Sequence, residues 1–475
     1  MDILLNREGD VPLYRQIVEQ IQSQILSSRL APGLRLPPVR DLAEQLDVSV
    51  PTALRAYSEL REIGLIGSAV GSGTFVSEPS ARWAGIELLK TIRVQGPINL
   101  YEPLSTQTGI RSLATAVSDP RLFHGDDFVA DIRDAASSSP WAFYYAPPAG
   151  APELLREGAA LLGQRGINPG DDELLVGPGS RASLGLVLQA LGEPDDLVLM
   201  EDPAYLGAPM NLQSMRFRRH YVPVDESGTL DLEQAEAAIA QHRPRFLLLR
   251  PAFGNCIGAL WSPAKTARLL ELVRKEEIIL IECDDSCRMA YRVDPPPPLS
   301  LQFRGKVQAI YIEPLDDSLS PAVRTSFLWA PSDLRNRILF YSRSMDLSNP
   351  NFMQVALAKF MDKGGMKAHL RRVIPRFQLN RDTLVSSLRR EMPREVLWRE
   401  PLGGLSVWVE LPKEVDPSNL YEQALEAGVA FAPGWMFREG PHAPSGFRLS
   451  FGMASQEGIR EAVAILGRLI RARMD

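Results

Sequence analysis

From residue 173 onward the chain repeatedly sets four-residue runs of almost purely apolar character between longer amphipathic segments. Glu173-Leu174-Leu175-Val176, Leu197-Val198-Leu199-Met200, Phe246-Leu247-Leu248-Leu249 and Ile278-Ile279-Leu280-Ile281 are the clearest. Runs this short and this apolar suit strands covered on both faces, and the segments between them are long enough for helices. Such alternation implies an α/β fold with a mainly parallel sheet over residues 99–364. Beyond 365 long helical stretches surround Leu405-Ser406-Val407-Trp408-Val409 and Phe447-Arg448-Leu449-Ser450-Phe451, which reads as a smaller α+β subdomain over 365–475.

The first 76 residues follow a different pattern. Leu13, Ile17, Ile21 and Ile25 share one face of a helix from Pro12 to Ser28, which Ala31-Pro32-Gly33 breaks. A second helix fits Pro38 to Leu46. Ser49 is a suitable N-cap for a third, running to Ile63 and stopped by Gly64. Leu65 to Val76 alternates around Gly71-Ser72-Gly73, as two short strands joined by a tight turn would. Three helices and a hairpin make a winged helix-turn-helix over 1–76, and residues 77–98 read as a linker. In that plan the second helix of the pair meets base edges while helix starts and basic side chains hold phosphates. The DNA-contacting candidates are Arg40, Ser49, Thr52 and Arg55, with the wing tip Gly71, Ser72 and Gly73.

Composition limits the alternatives. At roughly 150 residues per domain, 475 residues suggest about three domains, or one small and one large. Three cysteines, Cys256, Cys283 and Cys287, fit a reducing compartment. No basic-then-apolar leader opens the chain and no apolar run approaches the ~18 residues of a spanning helix, so a cytoplasmic protein without membrane association is expected. The five histidines lack metal-ligand spacing and are expected on the surface or in loops. The net charge of −6, with 7 arginines against 9 acids in residues 1–76, gives no support to nucleic-acid binding. On residue pattern alone the N-terminal unit reads either DNA or another protein.

The segment Leu36-Pro37-Pro38-Val39-Arg40-Asp41-Leu42-Ala43, with Ala56-Tyr57, Leu60, Gly64 and Gly71-Ser72-Gly73-Thr74-Phe75-Val76, resembles the DNA-binding domain of the GntR family. More narrowly it resembles the MocR subfamily, which joins that domain to an aminotransferase-like one. The resemblance implies a transcriptional regulator that binds a double-stranded operator as a head-to-tail homodimer. Val50-Pro51 stand where the family usually has Arg then Asn or Thr, so operator sequence does not carry over.

The rest of the chain resembles a fold-type I aminotransferase, whose sites hold pyridoxal phosphate through an imine lysine, an acid on the ring nitrogen and a phosphate cradle. The resemblance places Tyr145 in the Tyr145–Gly150 turn and Gly179, Ser180 and Arg181 in the phosphate loop. It places Tyr205 on the cofactor ring, Asn255 at the ring hydroxyl, Arg324 beside the phosphate and Arg448 on a substrate carboxylate. Two positions depart from the family. Around the imine lysine it reads Tyr-x-Gly-x-Phe-Ser-Lys-x-Leu-x-Pro-x-x-Arg. Here Tyr311, Leu319, Pro321 and Arg324 keep that register and Asp317 stands in the lysine position, with no lysine between Lys306 and Lys359. After Ile281, where the family has Glu-Asp-Asp-Tyr, this chain has Glu282-Cys283-Asp284-Asp285. Cys283 then falls on the ring-nitrogen acid and Asp285 on the ring-hydroxyl tyrosine, unless a one-residue slip lets Asp284 serve.

A carboxylate forms no imine, so transaminase activity is not expected and no Schiff-base cofactor is expected either. Asp316 and Asp317 also bring negative charge beside the cradle. Three uses of the cleft stay open: sensing a different small effector, which is favoured; a scaffold for dimerisation; or noncovalent pyridoxal phosphate. The competing class is a pyridoxal-phosphate-dependent aminotransferase fused to a DNA-binding module.

Overall fold

The aliphatic spacing of the N-terminal segment produces the expected helices. The computed structural model describes residues 3, 5–7, 12–26, 30–62, 64–69, 73–77, 109–123, 125–138, 140–204, 207–254, 257–345, 349–438 and 443–474. In it α1 spans Leu13–Leu26, followed by the two-residue strand β1 (Arg35–Leu36), α2 (Val39–Gln45) and α3 (Val50–Glu62). Ser49 caps α3: its Oγ accepts the Thr52 backbone N–H at 3.3 Å and lies 2.7 Å from the Thr52 hydroxyl. Ile17, Ile21 and Ile25 of α1 close a solvent-free core with Leu42, Ala53, Ala56, Tyr57 and Leu60. The Tyr57 hydroxyl donates to the Pro37 carbonyl at 2.8 Å, so the polar end of a buried ring is satisfied. Strands β2 (Ile66–Ala69) and β3 (Gly73–Val76) form the hairpin. β1 adds a third strand on the other edge of β3, Arg35 facing Phe75. Residue alternation could not reveal it, because two residues carry no period. The linker expected over 77–98 lies outside the described residues beyond Ser77, as do the wing-tip residues Gly71 and Ser72.

By internal contacts the chain divides into two units, Met1–Ser112 with Ser418–Ala430, and Leu113–Pro417 with Phe431–Asp475. The second is built on seven strands: β4 (Leu174–Gly177), β5 (Leu197–Asp202), β6 (Arg218–Pro223), β7 (Phe246–Leu249), β8 (Ile279–Cys283), β9 (Ala309–Pro314) and β10 (Ser326–Trp329). Their order is β4-β10-β9-β8-β7-β5-β6. Pairing is parallel throughout except at β10, which runs against both β9 and β4. All four aliphatic runs are strands, and side-chain alternation sends successive residues of each into different cores, Leu174 and Leu175 included. Val198, Phe246, Leu248, Ile279 and Ile281 face one side, while Leu199, Leu247, Leu249 and Leu280 face the other. Helix α4 (Ser180–Leu191) follows β4 and packs Leu184, Val187 and Leu188 into the first core. Gly177 permits that turn, because a Cβ there would lie 2.2 Å from Leu328 Cδ1 and 2.4 Å from Ser183 Oγ. Toward the C-terminus a long helix, Gly365–Glu391, accompanies a four-stranded antiparallel sheet that includes Ser406–Glu410 and Gly446–Ser450. No helix among the described residues is long and apolar enough to cross a membrane.

Candidate functional site

In the N-terminal unit the first turn of α3 is open to solvent. Arg40, Ser49 and Arg55 are exposed and Thr52 is half-buried. The Arg55 guanidinium lies 4.0 Å from the centre of the Tyr14 ring, which steadies it against α1. Val50 and Leu54, 46% and 49% exposed, share this helix. They were not among the candidates, although they fall off the inward face made by Ala53, Ala56, Tyr57 and Leu60. Gly73 takes φ 106°, and a Cβ on it would meet Arg35 Nε at 2.9 Å.

In the second unit the parallel strands deliver their carboxyl ends to one edge of the sheet, where open α/β sheets bind ligands. Gly179-Ser180 after β4, Arg250 after β7, Cys283 to Asp285 at β8 and Asp316-Asp317 after β9 meet there. Asp285 is the hub. Its Oδ2 pairs with Arg250 Nη2 at 2.5 Å and accepts the Ser180 hydroxyl at 3.1 Å, while Oδ1 accepts the Cys283 thiol at 3.1 Å. Arg250 also donates to the Cys283 carbonyl at 3.4 Å. Asp317 is buried, its Oδ2 accepts the Ser286 hydroxyl at 3.0 Å, and its backbone carbonyl accepts the Ser118 hydroxyl. Burial, then the adjacent negative charge of Asp285, lifts the Asp317 carboxyl well above the ordinary carboxylate range, against the pull of Arg250 and Ser286. Burial and Asp285 likewise push the Cys283 thiol up, so it is no ready nucleophile.

Asp284 turns the other way, as strand alternation requires. Its Oδ2 pairs with Arg165 at 3.0 Å and accepts the Tyr311 hydroxyl at 3.1 Å. The Tyr311 hydroxyl lies equally close to Glu313, which pairs with Arg288 at 2.5 Å. Asp284 therefore belongs to a separate buried network and does not take over from Cys283 by a one-residue slip. His369, expected at the surface, is buried with Nδ1 3.3 Å from Arg372, because it falls on the inner face of its long helix.

The remaining candidates are spread around the cluster. Arg181 and Arg324 are exposed, yet both charges act on Asp316. Arg448 is buried on Gly446–Ser450, donates to the Ala114 carbonyl at 2.7 Å and lies over the Phe437 ring. Tyr145 is 75% exposed and joins Trp141, Phe143 and Tyr144 in an aromatic surface patch rather than the buried cluster. Tyr205 and Asn255 lie outside the described residues. Arg250 was missed altogether, although an arginine directly following four apolar strand residues is an unusual enough placement to have marked it.

Pyridoxal phosphate asks for a primary amine to form its imine, an acid facing the ring nitrogen and free donors at the phosphate loop. The cluster supplies three carboxyls, a thiol and a guanidinium, and no lysine. Ser180 already gives its backbone N–H and its hydroxyl to Asp316 and Asp285. These residues do not fit that cofactor. Among the described residues no group of histidine, cysteine or acidic side chains could hold a metal ion.

Residues 13–76 match the family of bacterial regulatory proteins, gntR family, and residues 116–285 match aminotransferase class I and II. The chain is 32% identical to a 2-aminoadipate transaminase of Thermus thermophilus, over 78% of this chain and 92% of that one. It is 25% identical to a probable rhizopine catabolism regulatory protein, MocR, of Rhizobium meliloti, over 97% of this chain and 94% of that one. Among solved structures it resembles LysN, an α-aminoadipate aminotransferase of Thermus thermophilus complexed with N-(5'-phosphopyridoxyl)-L-leucine. The TM-score is 0.71 at 30% identity, with 77% of this chain and 93% of that one covered.

Proposed function

This chain belongs to the MocR-type GntR regulators, in which a winged helix-turn-helix is joined to an aminotransferase class I and II domain. On that premise we propose that it reads a specific operator in the cytoplasm and does not transaminate. The observation that carries the reading is the open first turn of α3, flanked by the exposed Arg40 and Arg55. The two guanidinium groups suit phosphates, and the Ser49 and Thr52 hydroxyls at the helix start suit phosphate or base-edge contacts. The exposed Val50 and Leu54 suit thymine methyl groups, which would replace the family's arginine contact with an apolar one. In a mobility-shift titration on the upstream region of its own gene, Arg40→Ala and Thr52→Ala each should cost about 1–3 kcal/mol of affinity. Unchanged binding by both would overturn the assignment.

The large domain, in this reading, pairs two copies head to tail and senses a small effector. The solvent-exposed aromatic patch of Trp141, Phe143, Tyr144 and Tyr145 supports pairing, since surfaces of this kind are commonly covered in assemblies. An effector in the crevice would act by binding one placement of the two reader domains more tightly than another. Asp317, standing at the imine-lysine position, supports a sensor rather than an enzyme, because its carboxylate cannot form the covalent link. The purified protein is accordingly expected to show no borohydride-reducible imine absorbance. Such a band would overturn this reading.

A further inference from the structure

The N-terminus of α4 is where a βα turn ordinarily receives an anion, because its first N–H groups are unsatisfied and carry the positive end of the helix dipole. In this chain that position already holds one. The Ser180 backbone N–H donates to Asp316 Oδ2 at 3.1 Å. Gly179, the N-cap residue, takes φ 88°, and a Cβ on it would lie 3.3 Å from Asp316 Oδ1. That second oxygen is shielded from solvent and has no hydrogen-bond partner. The Ser180 hydroxyl, a further donor of the same turn, is given to Asp285. Both donors of Ser180 are therefore answered by carboxylates that follow two other strands of the sheet, β8 and β9.

We infer that Asp316 is an internal stand-in for a phosphate group, and that the crevice consequently refuses pyridoxal phosphate and other phosphate esters. A phosphate would have to displace the carboxylate from the helix start or lie directly against its charge, with only the exposed Arg181 and Arg324 to offset it. Burial lifts the Asp316 carboxyl to about 6, with the Ser180 N–H, Arg324 and Arg181 pulling against burial and the charge of Asp285. At pH 7.5 it is thus predominantly the anion. The inference rests on the crevice being that of an aminotransferase fold and is independent of operator reading. It also separates the effector from the phosphorylated ligands of the fold, since both Ser180 donors at the helix start are already given to carboxylates.

The test uses the full-length protein with three probes: inorganic phosphate, pyridoxal phosphate and pyridoxal, titrated by calorimetry and cofactor absorbance. Wild type is expected to show no saturable binding of either phosphate-bearing probe at millimolar concentration. Asp316→Ser should gain about tenfold or more in affinity for both, with pyridoxal unaffected. Asp316→Asn, which keeps the shape and an acceptor for Ser180 but removes the charge, should gain less, and it guards against a folding defect in the serine variant. Asp317→Lys alone should form no imine, whereas Asp316→Ser/Asp317→Lys should. Wild type binding pyridoxal phosphate as tightly as Asp316→Ser would overturn the inference. So would an equal gain for pyridoxal and its phosphate, or an imine in Asp317→Lys alone. Operator binding measured on the same preparations keeps the two readings apart: its absence would sink the regulator and leave the phosphate result standing.

Discussion

Arg250→Ala is expected to destabilise the large unit by about 3–5 kcal/mol, read as a lowered urea midpoint at unchanged slope. Arg250 and Asp285 are 6% and 5% exposed and paired at 2.5 Å, so removing the guanidinium leaves a carboxylate stranded away from water. The stranded charge accounts for most of the effect. The pair itself is worth much less, since its desolvation offsets most of its attraction. Arg250→Ala/Asp285→Asn should therefore recover a large part of the loss, because the double variant buries an amide in place of an unpaired charge. A single variant within about 1 kcal/mol of wild type would show that water reaches Asp285 and that the cluster is not closed.

Stability should fall as pH rises from about 4 to about 8, the second large effect. Asp317, Asp316 and Asp284 each have carboxyls raised above the value of 3.8 that they take when unfolded, chiefly by burial. Between the unfolded and folded values the native chain holds protons that the unfolded chain has released, so each group takes up to about 1.4 kcal/mol from stability per pH unit. At more acid pH the opposite case takes over. Asp231 is held below its unfolded value by the backbone and side-chain N–H groups of Gln234, and what it contributes is lost as pH falls through its folded value. The melting temperature should thus peak in mildly acidic buffer. Asp317→Asn should flatten the alkaline side, because an amide keeps the Ser286 contact and has nothing to ionise. An unaltered slope in that variant would mean that Asp317 is ionised in the native protein.

Much of this molecule is legible along the chain. The four aliphatic runs become β4, β5, β7 and β8 with boundaries within two residues, since an apolar run of strand length has few other stable places. The three N-terminal helices and the hairpin follow equally directly from helix spacing, the Ser49 cap and the glycines. The small strand β1 does not, because its only reason for being extended is the free edge of β3. At the site, Ser180, Cys283, Asp285 and Asp317 come together as their positions suggest, whereas Tyr145 lies on the surface. Arg250 escapes a reading by resemblance because it fills no known slot. Its role exists through Asp285, just past the end of the neighbouring strand, and through the Cys283 carbonyl.

The sequence by itself determined the element types, the mainly parallel sheet and the absence of any lysine between Tyr311 and Arg324. These depend on local periodicity and on residue identity, which need no partner. Tertiary structure alone decided which acid faces which side. Asp284 and Asp285 are adjacent in the chain, yet strand alternation gives one to Arg165 and the other to Arg250. It also decided that Asp316 reaches Ser180, 136 residues away, and answers the start of α4 with a carboxylate. A hydrogen bond between such distant residues has no local signature, because it arises only when β4 and β9 are brought to either side of β10.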